Sequence, residues 1–285
     1  MRQSRGGYVY LNGAFVASAD AMVAAEDAGL LYGRGLFETF RARRGAVYRL
    51  EHHVQRLEAG ARLLEIAPPS FQGRMADLAA PVRELAALCG LEDARVRLTL
   101  TAGPAGGSPS LLIQARPATD YPESLYERGM SALTASARRN ETSLLSRVKS
   151  LNCLENLLAS ERAQAAGADA ALLLNTRGLL AEGSASNVFL VRDGELLTPP
   201  VEDGALPGVT RGAVLELAVA AGMAAREASL TLEDLQRADE AFLTGAVAGV
   251  MPLVSVDGSS IGAGKPGDVT RRVRAIYESA AGGGR

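Results

Sequence analysis

Strand patterns and helix patterns are mixed along the whole of this 285-residue chain, and they do not alternate regularly. The segment Arg95–Thr101 alternates in polarity, which predicts a half-buried strand, whereas the apolar residues from Leu50 to Leu64 recur at helical spacing. A doubly wound parallel sheet requires strands and helices in strict alternation. The sequence therefore predicts an α+β fold.

A linker is predicted near the middle of the chain. Residues 116–124 contain two prolines and no periodic apolar pattern, which is typical of a connection between domains. We predict an N-terminal α+β domain over residues 1–118, a linker over 119–124 and a larger C-terminal domain over 125–285.

Composition excludes several classes of function. The 30 basic and 32 acidic residues give a net charge of −2, which indicates neither nucleic-acid binding nor an anionic membrane surface. Two cysteines and two neighbouring histidines favour neither a structural metal site nor a disulfide framework. Because no signal peptide or long apolar stretch is visible, we predict a cytoplasmic protein with a small-molecule substrate and no metal, nucleic-acid or membrane partner.

Lysine occurs only at Lys149 and Lys265. Lys149 precedes a predicted helix, where partial desolvation would make its amine nucleophilic and suited to a Schiff base, although a solvated loop lysine is equally compatible with its position. Glu182 is followed by Gly183 and other small residues before a strand. That arrangement suits a carboxylate against a bound ring, but a plain turn acid has the same surroundings.

Two features are typical of anion binding, and neither is specific alone. Thr210 is predicted as the N-cap of a helix over 210–221, where backbone N–H groups bind anions, and the turn 244–247 offers more of them. Arg56 borders the apolar stripe of the first long helix and suits a phosphate, or else is a surface arginine.

These signals occur in an order that resembles the class-IV aminotransferase family, the fold-type IV pyridoxal-phosphate enzymes. The matching segments run through nearly the whole chain, namely 29–41, 53–57, 149–152, 182–189, 198–200, 208–211 and 238–240. The resemblance implies a two-domain fold with a smaller N-terminal α/β domain and a larger C-terminal, cofactor-binding pseudo-barrel domain. It also implies a homodimer.

The resemblance also implies roles for individual residues. Lys149 would be the catalytic lysine, which joins pyridoxal 5'-phosphate as a Schiff base and moves protons. Glu182 would pair with the pyridine nitrogen, with Asn187 orienting it. The phosphate would be held by Arg56, Val209, Thr210, Ala246 and Val247. The substrate would be contacted by Phe37, Thr39 and Arg97.

The choice of family member rests on smaller segments. Residues 37–41, 94–99 and 249–252 look more like 4-amino-4-deoxychorismate lyases, which release pyruvate and leave p-aminobenzoate for folate biosynthesis, whereas 261–270 looks more like transaminases. The loop 102–109 lacks the arginine with which many relatives bind the substrate carboxylate, so that contact is unassigned. Leu154 stands where branched-chain enzymes carry a tyrosine that contacts the ring hydroxyl. The first departure disfavours a standard D-amino-acid transaminase, and the second disfavours a branched-chain enzyme.

We therefore predict 4-amino-4-deoxychorismate lyase as the activity. The alternative is an aminotransferase of branched-chain or D-amino acids, which would use the same lysine and the same cofactor. A non-catalytic binding protein on the same fold is the third possibility.

Overall fold

The structure, a computed structural model, describes residues 7–67, 75–118 and 121–282. The chain divides into two units. The first contains Met1–Thr119 together with Val148–Asn152, and the second contains Asp120–Arg147 and Cys153–Arg285. The division after Thr119 falls inside the predicted linker, but the short segment around Lys149 joins the first unit, whereas we predicted it within the C-terminal domain.

The first unit is built on an antiparallel sheet. Its described strands are β1 (Tyr8–Leu11), β2 (Ala14–Ala17), β3 (Gly35–Arg43), β4 (Ala46–Val47), β5 (Asp93–Thr101) and β6 (Ser110–Pro117). Its described helices are α1 (Ala28–Tyr32), α2 (Leu50–Leu63) and α3 (Ala79–Leu88). The strand order is β2-β1-β6-β5-β3-β4.

The predicted apolar stripe of α2 packs on β3. Val54 and Leu57 on the helix are buried, as are Leu36 and Phe40 on one face of the strand. Because side chains alternate along a strand, Phe37 and Thr39 lie on the opposite face of the sheet. Two prolines that follow this helix in the sequence, at positions 68–69, lie outside the described residues.

The second unit contains a larger mixed sheet. Its described strands are β7 (Met130–Arg139), β8 (Ala170–Asn175), β9 (Leu180–Gly183), β10 (Asn187–Arg192), β11 (Glu195–Thr198), β12 (Ala225–Glu227), β13 (Glu240–Gly245), β14 (Gly249–Val256) and β15 (Ser259–Ser260). Its described helices are α4 (Glu123–Arg128), α5 (Leu154–Ala165), α6 (Val209–Ala220), α7 (Leu232–Gln236) and α8 (Asp268–Ala280).

This larger sheet curls into a half-barrel. Its order is β12-β11-β10-β13-β14-β7-β8-β9, with β15 paired to β14. A bridge between Gly183, at the end of β9, and Ser186 brings that edge of the sheet back beside the start of β10. The predicted α+β class, with a pseudo-barrel in the C-terminal part, is confirmed. No helix within the described ranges is long and apolar enough to cross a membrane.

Two helices begin in different ways. At the start of α7 the Thr231 side chain accepts a hydrogen bond from Asp234 N, and the Asp234 carboxylate accepts one from Thr231 N, so the two residues form a capping box. The prediction of Thr210 as the N-cap of α6 is wrong. Gly208 is the N-cap, and Thr210 is buried as the second helical residue.

Candidate active site

The segment Val148–Asn152, called the lysine segment below, lies along the beginning of β3. Ser150 forms a bridge with Leu36, Phe37 N donates to Lys149 O at 2.9 Å, and Leu151 N donates to Gly35 O at 2.9 Å. Val148 and Ser150 are buried on either side of the half-buried Lys149. The backbone around Lys149 is therefore fixed as an added strand segment, and only its side chain extends from it.

Two glycines make room for this segment. Gly33 ends α1 with φ +66°, a conformation that favours glycine, and a Cβ there would lie 2.6 Å from Asn152 Oδ1. A Cβ on Gly35 would lie 2.6 Å from Leu151 Cδ1 and 2.8 Å from Leu100 O. The Gly-x-Gly of residues 33–35 thus serves the close approach of two backbone segments.

Lys149 shares the ring of Phe37 with Arg97. The Lys149 Nζ lies 4.5 Å from the centre of the ring, and the Arg97 Cζ lies 3.9 Å from it. Thr39 pairs directly with Arg97 across β3 and β5, so all three predicted substrate residues lie on one face of the sheet. The structure therefore places a guanidinium and an amine against a single aromatic ring.

Arg56 binds a buried carboxylate on the other face of β3. Its Nε donates to Glu38 Oε1 at 2.8 Å and its Nη2 donates to Glu38 Oε2 at 2.6 Å. His53, one turn earlier on α2, lies with Nδ1 2.7 Å from the same Oε2. Glu38 and His53 are 1% and 2% exposed.

The charges of this cluster follow from its burial. Burial alone would raise the pKa of Glu38, but the Arg56 charge and the hydrogen bonds from His53 and Arg56 outweigh it, so the pKa falls below the ordinary value. Burial lowers the pKa of His53, and the Arg56 and Lys149 charges add to that effect against the opposing Glu38. A neutral His53 therefore donates its Nδ1–H to an ionised Glu38.

In the second unit, Glu182 is buried at the end of β9. Leu206 N donates to its Oε2 at 2.8 Å, and Arg139 Nη1 lies 3.2 Å from its Oε1. Arg139 is itself held by the carbonyl oxygens of Gly204, at 2.6 Å, and Ser146, at 3.1 Å. The carboxylate is thus oriented by one cation and one backbone N–H.

Asn187 ties the same loop to the start of α6. Its Nδ2 donates to Leu206 O at 2.9 Å, and a Cβ on Gly208 would lie 2.0 Å from its Oδ1. Gly208, Val209 and Thr210 form the first turn of α6, whose N–H groups have no partner within the helix. Glu182 and this helix N-terminus are therefore both tied to the loop 206–208.

The turn that contains Ala246 and Val247 joins β13 to β14, and Thr244 at its beginning pairs with Asn187 across the sheet. Thr244 is 2% exposed, and its Oγ1 is one of three buried side-chain atoms in the described part of the chain that have no hydrogen-bond partner. A buried hydroxyl without a partner is costly, and a polar ligand beside this turn would supply the missing partner.

Comparison with known proteins places the chain in a family. Residues 35–256 match the family model Amino-transferase class IV. A protein of Methanocaldococcus jannaschii named "Putative branched-chain-amino-acid aminotransferase" is 40% identical over 95% of this chain and 95% of its own length. The chain belongs to the class IV aminotransferases.

Two further relatives of this aminotransferase differ in their names. The D-alanine aminotransferase of Bacillus licheniformis is 32% identical over 95% of this chain and 96% of its own length. A solved crystal structure of the branched-chain amino acid aminotransferase of Escherichia coli has a TM-score of 0.89 at 31% identity, covering 97% of this chain and 95% of that one. The recognised family is confirmed, and the names favour an aminotransferase over the predicted lyase.

Class IV aminotransferases are enzymes that use pyridoxal 5'-phosphate, and the donor set here fits that cofactor. A buried carboxylate suits a protonated ring nitrogen. The N–H groups at the start of α6 and the unpartnered Thr244 hydroxyl suit a phosphate. The second unit therefore carries a buried carboxylate and a set of N–H donors, the kinds of group that the ring nitrogen and the phosphate of this cofactor require.

Three of the side chains described above were not singled out from the sequence, namely Glu38, His53 and Arg139. Glu38 and His53 stand inside the motifs that carry the resemblance, so alternation along β3 was the signal that could have placed Glu38 in the core. Arg139 had no signal, because its partner Glu182 is distant in sequence. Glu240, in contrast, is a motif residue with a structural role, since it accepts from Val269 N and Thr270 N at the start of α8.

Proposed function

We propose that this protein is an aminotransferase that moves the amino group of branched-chain amino acids to a 2-oxo acid. The observation that carries the proposal is the placement of Lys149 and Arg97 against the ring of Phe37. An amine and a guanidinium beside one aromatic ring suit an amino acid, whose α-carbon needs a base and whose carboxylate needs a cation. The name of the Methanocaldococcus jannaschii relative supports the branched-chain class.

The cofactor, when bound, supplies an aldehyde for the amine and a ring that accepts the electron pair released at the α-carbon. In our proposal Lys149 Nζ would hold the aldehyde of the cofactor in the resting enzyme. It would then take the proton from the substrate α-carbon and deliver it to the former aldehyde carbon of the cofactor, as transfer of the amino group requires. Glu182 accepts a hydrogen bond from the ring nitrogen and keeps its proton in place. Asn187 holds the loop that orients Glu182.

The phosphate, in the same proposal, is bound by the N–H groups of Val209 and Thr210, by the turn of Ala246 and Val247, and by Arg56. The substrate carboxylate is bound by Arg97, which fills the contact that the loop 102–109 leaves unassigned. Phe37 and Thr39 contact the rest of the substrate.

The role of Lys149 is tested by reducing the protein with borohydride in the presence of pyridoxal 5'-phosphate and mapping the labelled peptide by mass spectrometry. We expect the label on Lys149 and the visible absorbance band to disappear in Lys149→Ala. The matched control is Lys265→Ala, which removes the other lysine, an exposed one, and should keep the label and the band. A label on Lys265 in the native protein contradicts the assignment.

The substrate class is tested with a panel of amino donors and 2-oxoglutarate. We expect glutamate to accumulate with leucine, isoleucine or valine as donor, and slower turnover with D-alanine. The same preparation is incubated with 4-amino-4-deoxychorismate. Formation of p-aminobenzoate and pyruvate without transamination would support the lyase that three sequence segments favour.

We also propose that the protein is a homodimer, which is what the resemblance implies, and that it acts in the cytoplasm. Exposed leucines support the dimer. Leu154, Leu157 and Leu158 on α5 are 63%, 53% and 38% exposed, and Leu144 and Leu145 shortly before them are 46% and 38% exposed. Five exposed leucines within fifteen residues are typical of a surface that a second copy covers.

A further inference from the structure

Glu38 and His53 are ionisable groups of the first unit that are almost fully buried, and the proposed reaction assigns no role to either. Glu38 stands between Leu36 and Phe40 on the core face of β3, where alternation calls for an apolar side chain. A buried carboxylate is costly unless it is paired and hydrogen-bonded. Its presence at this position therefore needs an explanation beyond packing.

The geometry of the cluster is that of a clamp on Arg56. Both carboxylate oxygens of Glu38 accept from one edge of the guanidinium, through Nε and Nη2, which fixes its plane. His53 holds Oε2 from the other side, with Nδ1 at 2.7 Å, and so fixes the carboxylate. His53 and Arg56 lie three residues apart on α2, on the same face of the helix. The bidentate pair sets the direction of the opposite, Nη1 edge.

The clamp does not increase the attraction of Arg56 for an anion. The negative charge of Glu38 offsets most of the positive charge of Arg56, and the buried His53 adds none. A carboxylate at this point would be counterproductive if attraction alone were needed. What the cluster provides is orientation, because an arginine side chain otherwise loses considerable rotamer freedom on binding.

We propose that Glu38 and His53 are positioning residues that hold the guanidinium of Arg56 in the orientation in which it binds the cofactor phosphate. This inference rests on the proposed function, in which Arg56 contacts that phosphate. It assigns a role to two buried side chains that touch neither substrate nor cofactor.

The test compares the affinities of the cofactor-free protein for pyridoxal 5'-phosphate and for pyridoxal, which lacks the phosphate, by fluorescence titration. Glu38→Gln removes one negative charge beside Arg56, so attraction alone would make phosphate binding tighter. Orientation predicts that it weakens pyridoxal phosphate binding by about tenfold or more, because hydrogen bonds to a charged group are lost, and leaves pyridoxal binding unchanged. Unchanged or tighter pyridoxal phosphate binding would overturn the proposal.

His53 offers two variants that differ in the hydrogen-bond donor. His53→Asn keeps an N–H donor near the position of Nδ1, and His53→Leu removes it. We expect His53→Asn to stay within about threefold of the native affinity for pyridoxal phosphate and His53→Leu to lose about tenfold. Equal losses in both variants, or equal losses of pyridoxal and pyridoxal phosphate binding in either, would show a merely structural role and overturn the proposal.

Arg56→Met tests whether Arg56 contacts the phosphate, independently of whether Lys149 binds the cofactor. If this variant binds pyridoxal phosphate as the native protein does, Arg56 does not contact the phosphate, and the positioning role falls with it while the assignment of Lys149 stands. If the native protein itself takes no pyridoxal phosphate onto Lys149, the proposed function has failed. A selective loss of phosphate-dependent affinity in Arg56→Met, Glu38→Gln and His53→Leu supports the positioning role.

Discussion

His53 is a histidine that folding keeps neutral. Burial lowers its pKa from the ordinary value of 6.5, and the charges of Arg56 and Lys149 add to this effect. The unfolded chain therefore binds a proton at this position more readily than the folded protein does. Consequently the full contribution of His53 to stability is present above about pH 6.5, and it is lost progressively as the pH falls from there towards the lower pKa of the folded state.

We expect the free energy of unfolding, measured by urea titration and circular dichroism, to fall between about pH 7.5 and 5.5 in the native protein and to fall less in His53→Asn. The chain offers a close control, because its only other histidine is the exposed neighbour His52. His52→Asn should keep the native slope. A native slope in His53→Asn, or a flattened slope in His52→Asn, would show that His53 is not the group responsible.

At the residue scale, the sequence identified some of the candidate site residues and not others. Motif order was enough to nominate Lys149, Glu182 and Arg56, and their roles remain predictions. Sequence could not nominate Arg139 as the partner of Glu182, because an ion pair between two strands depends on register and on the carbonyl oxygens that position the guanidinium. Such contacts are tertiary, and no local pattern records them.

At the scale of elements, the sequence determines the structure most directly where local chemistry decides it. The capping box of α7 is set by two residues three positions apart, and the hairpin turn at Asn12–Gly13 has the positive φ angles that this pair favours. The face of α5 was less predictable. Its leucines resemble a core stripe, yet the buried residues are Ala159 and Ala163, because what covers a helix depends on its neighbours.

Gly35 lies where the lysine segment pairs with the beginning of β3, and it gives a prediction at the scale of elements. A Cβ at this position would meet Leu151 Cδ1 at 2.6 Å and the backbone oxygen of Leu100 at 2.8 Å, and a backbone oxygen cannot rotate away. We expect Gly35→Ala to lower the free energy of unfolding by about 1–3 kcal/mol. It should also reduce borohydride labelling of Lys149, because the lysine segment must shift.

Gly212, inside α6, is the control for that substitution. A Cβ there would meet no atom within 4 Å, so Gly212→Ala should be neutral or stabilising by up to about 1 kcal/mol. Both variants are measured by the same urea titration and the same labelling experiment. Native stability together with full labelling in Gly35→Ala would contradict the proposed close fit of the lysine segment.

For the whole molecule, the path of the chain is the least predictable feature. Residues 148–152 follow the predicted linker by more than twenty positions, yet they belong to the first unit through the bridge between Ser150 and Leu36. A sequence pattern gives a boundary as a single position and cannot show a segment that returns to an earlier unit. The catalytic lysine of our proposal therefore joins a sheet whose six strands all precede it in the sequence.

The exposed leucines of α5 give the prediction for the assembled molecule. Burying one leucine side chain stabilises an interface by about 1.5–3 kcal/mol, and in a two-fold symmetric dimer each substitution counts twice. We expect the native protein to sediment as a dimer and Leu157→Glu to raise the dissociation constant at least about 100-fold. Val219→Glu is the control, because Val219 on α6 is 61% exposed and lies on a different helix. A monomeric native protein, or a Leu157→Glu variant that dimerises as the native protein does, would refute an interface centred on α5.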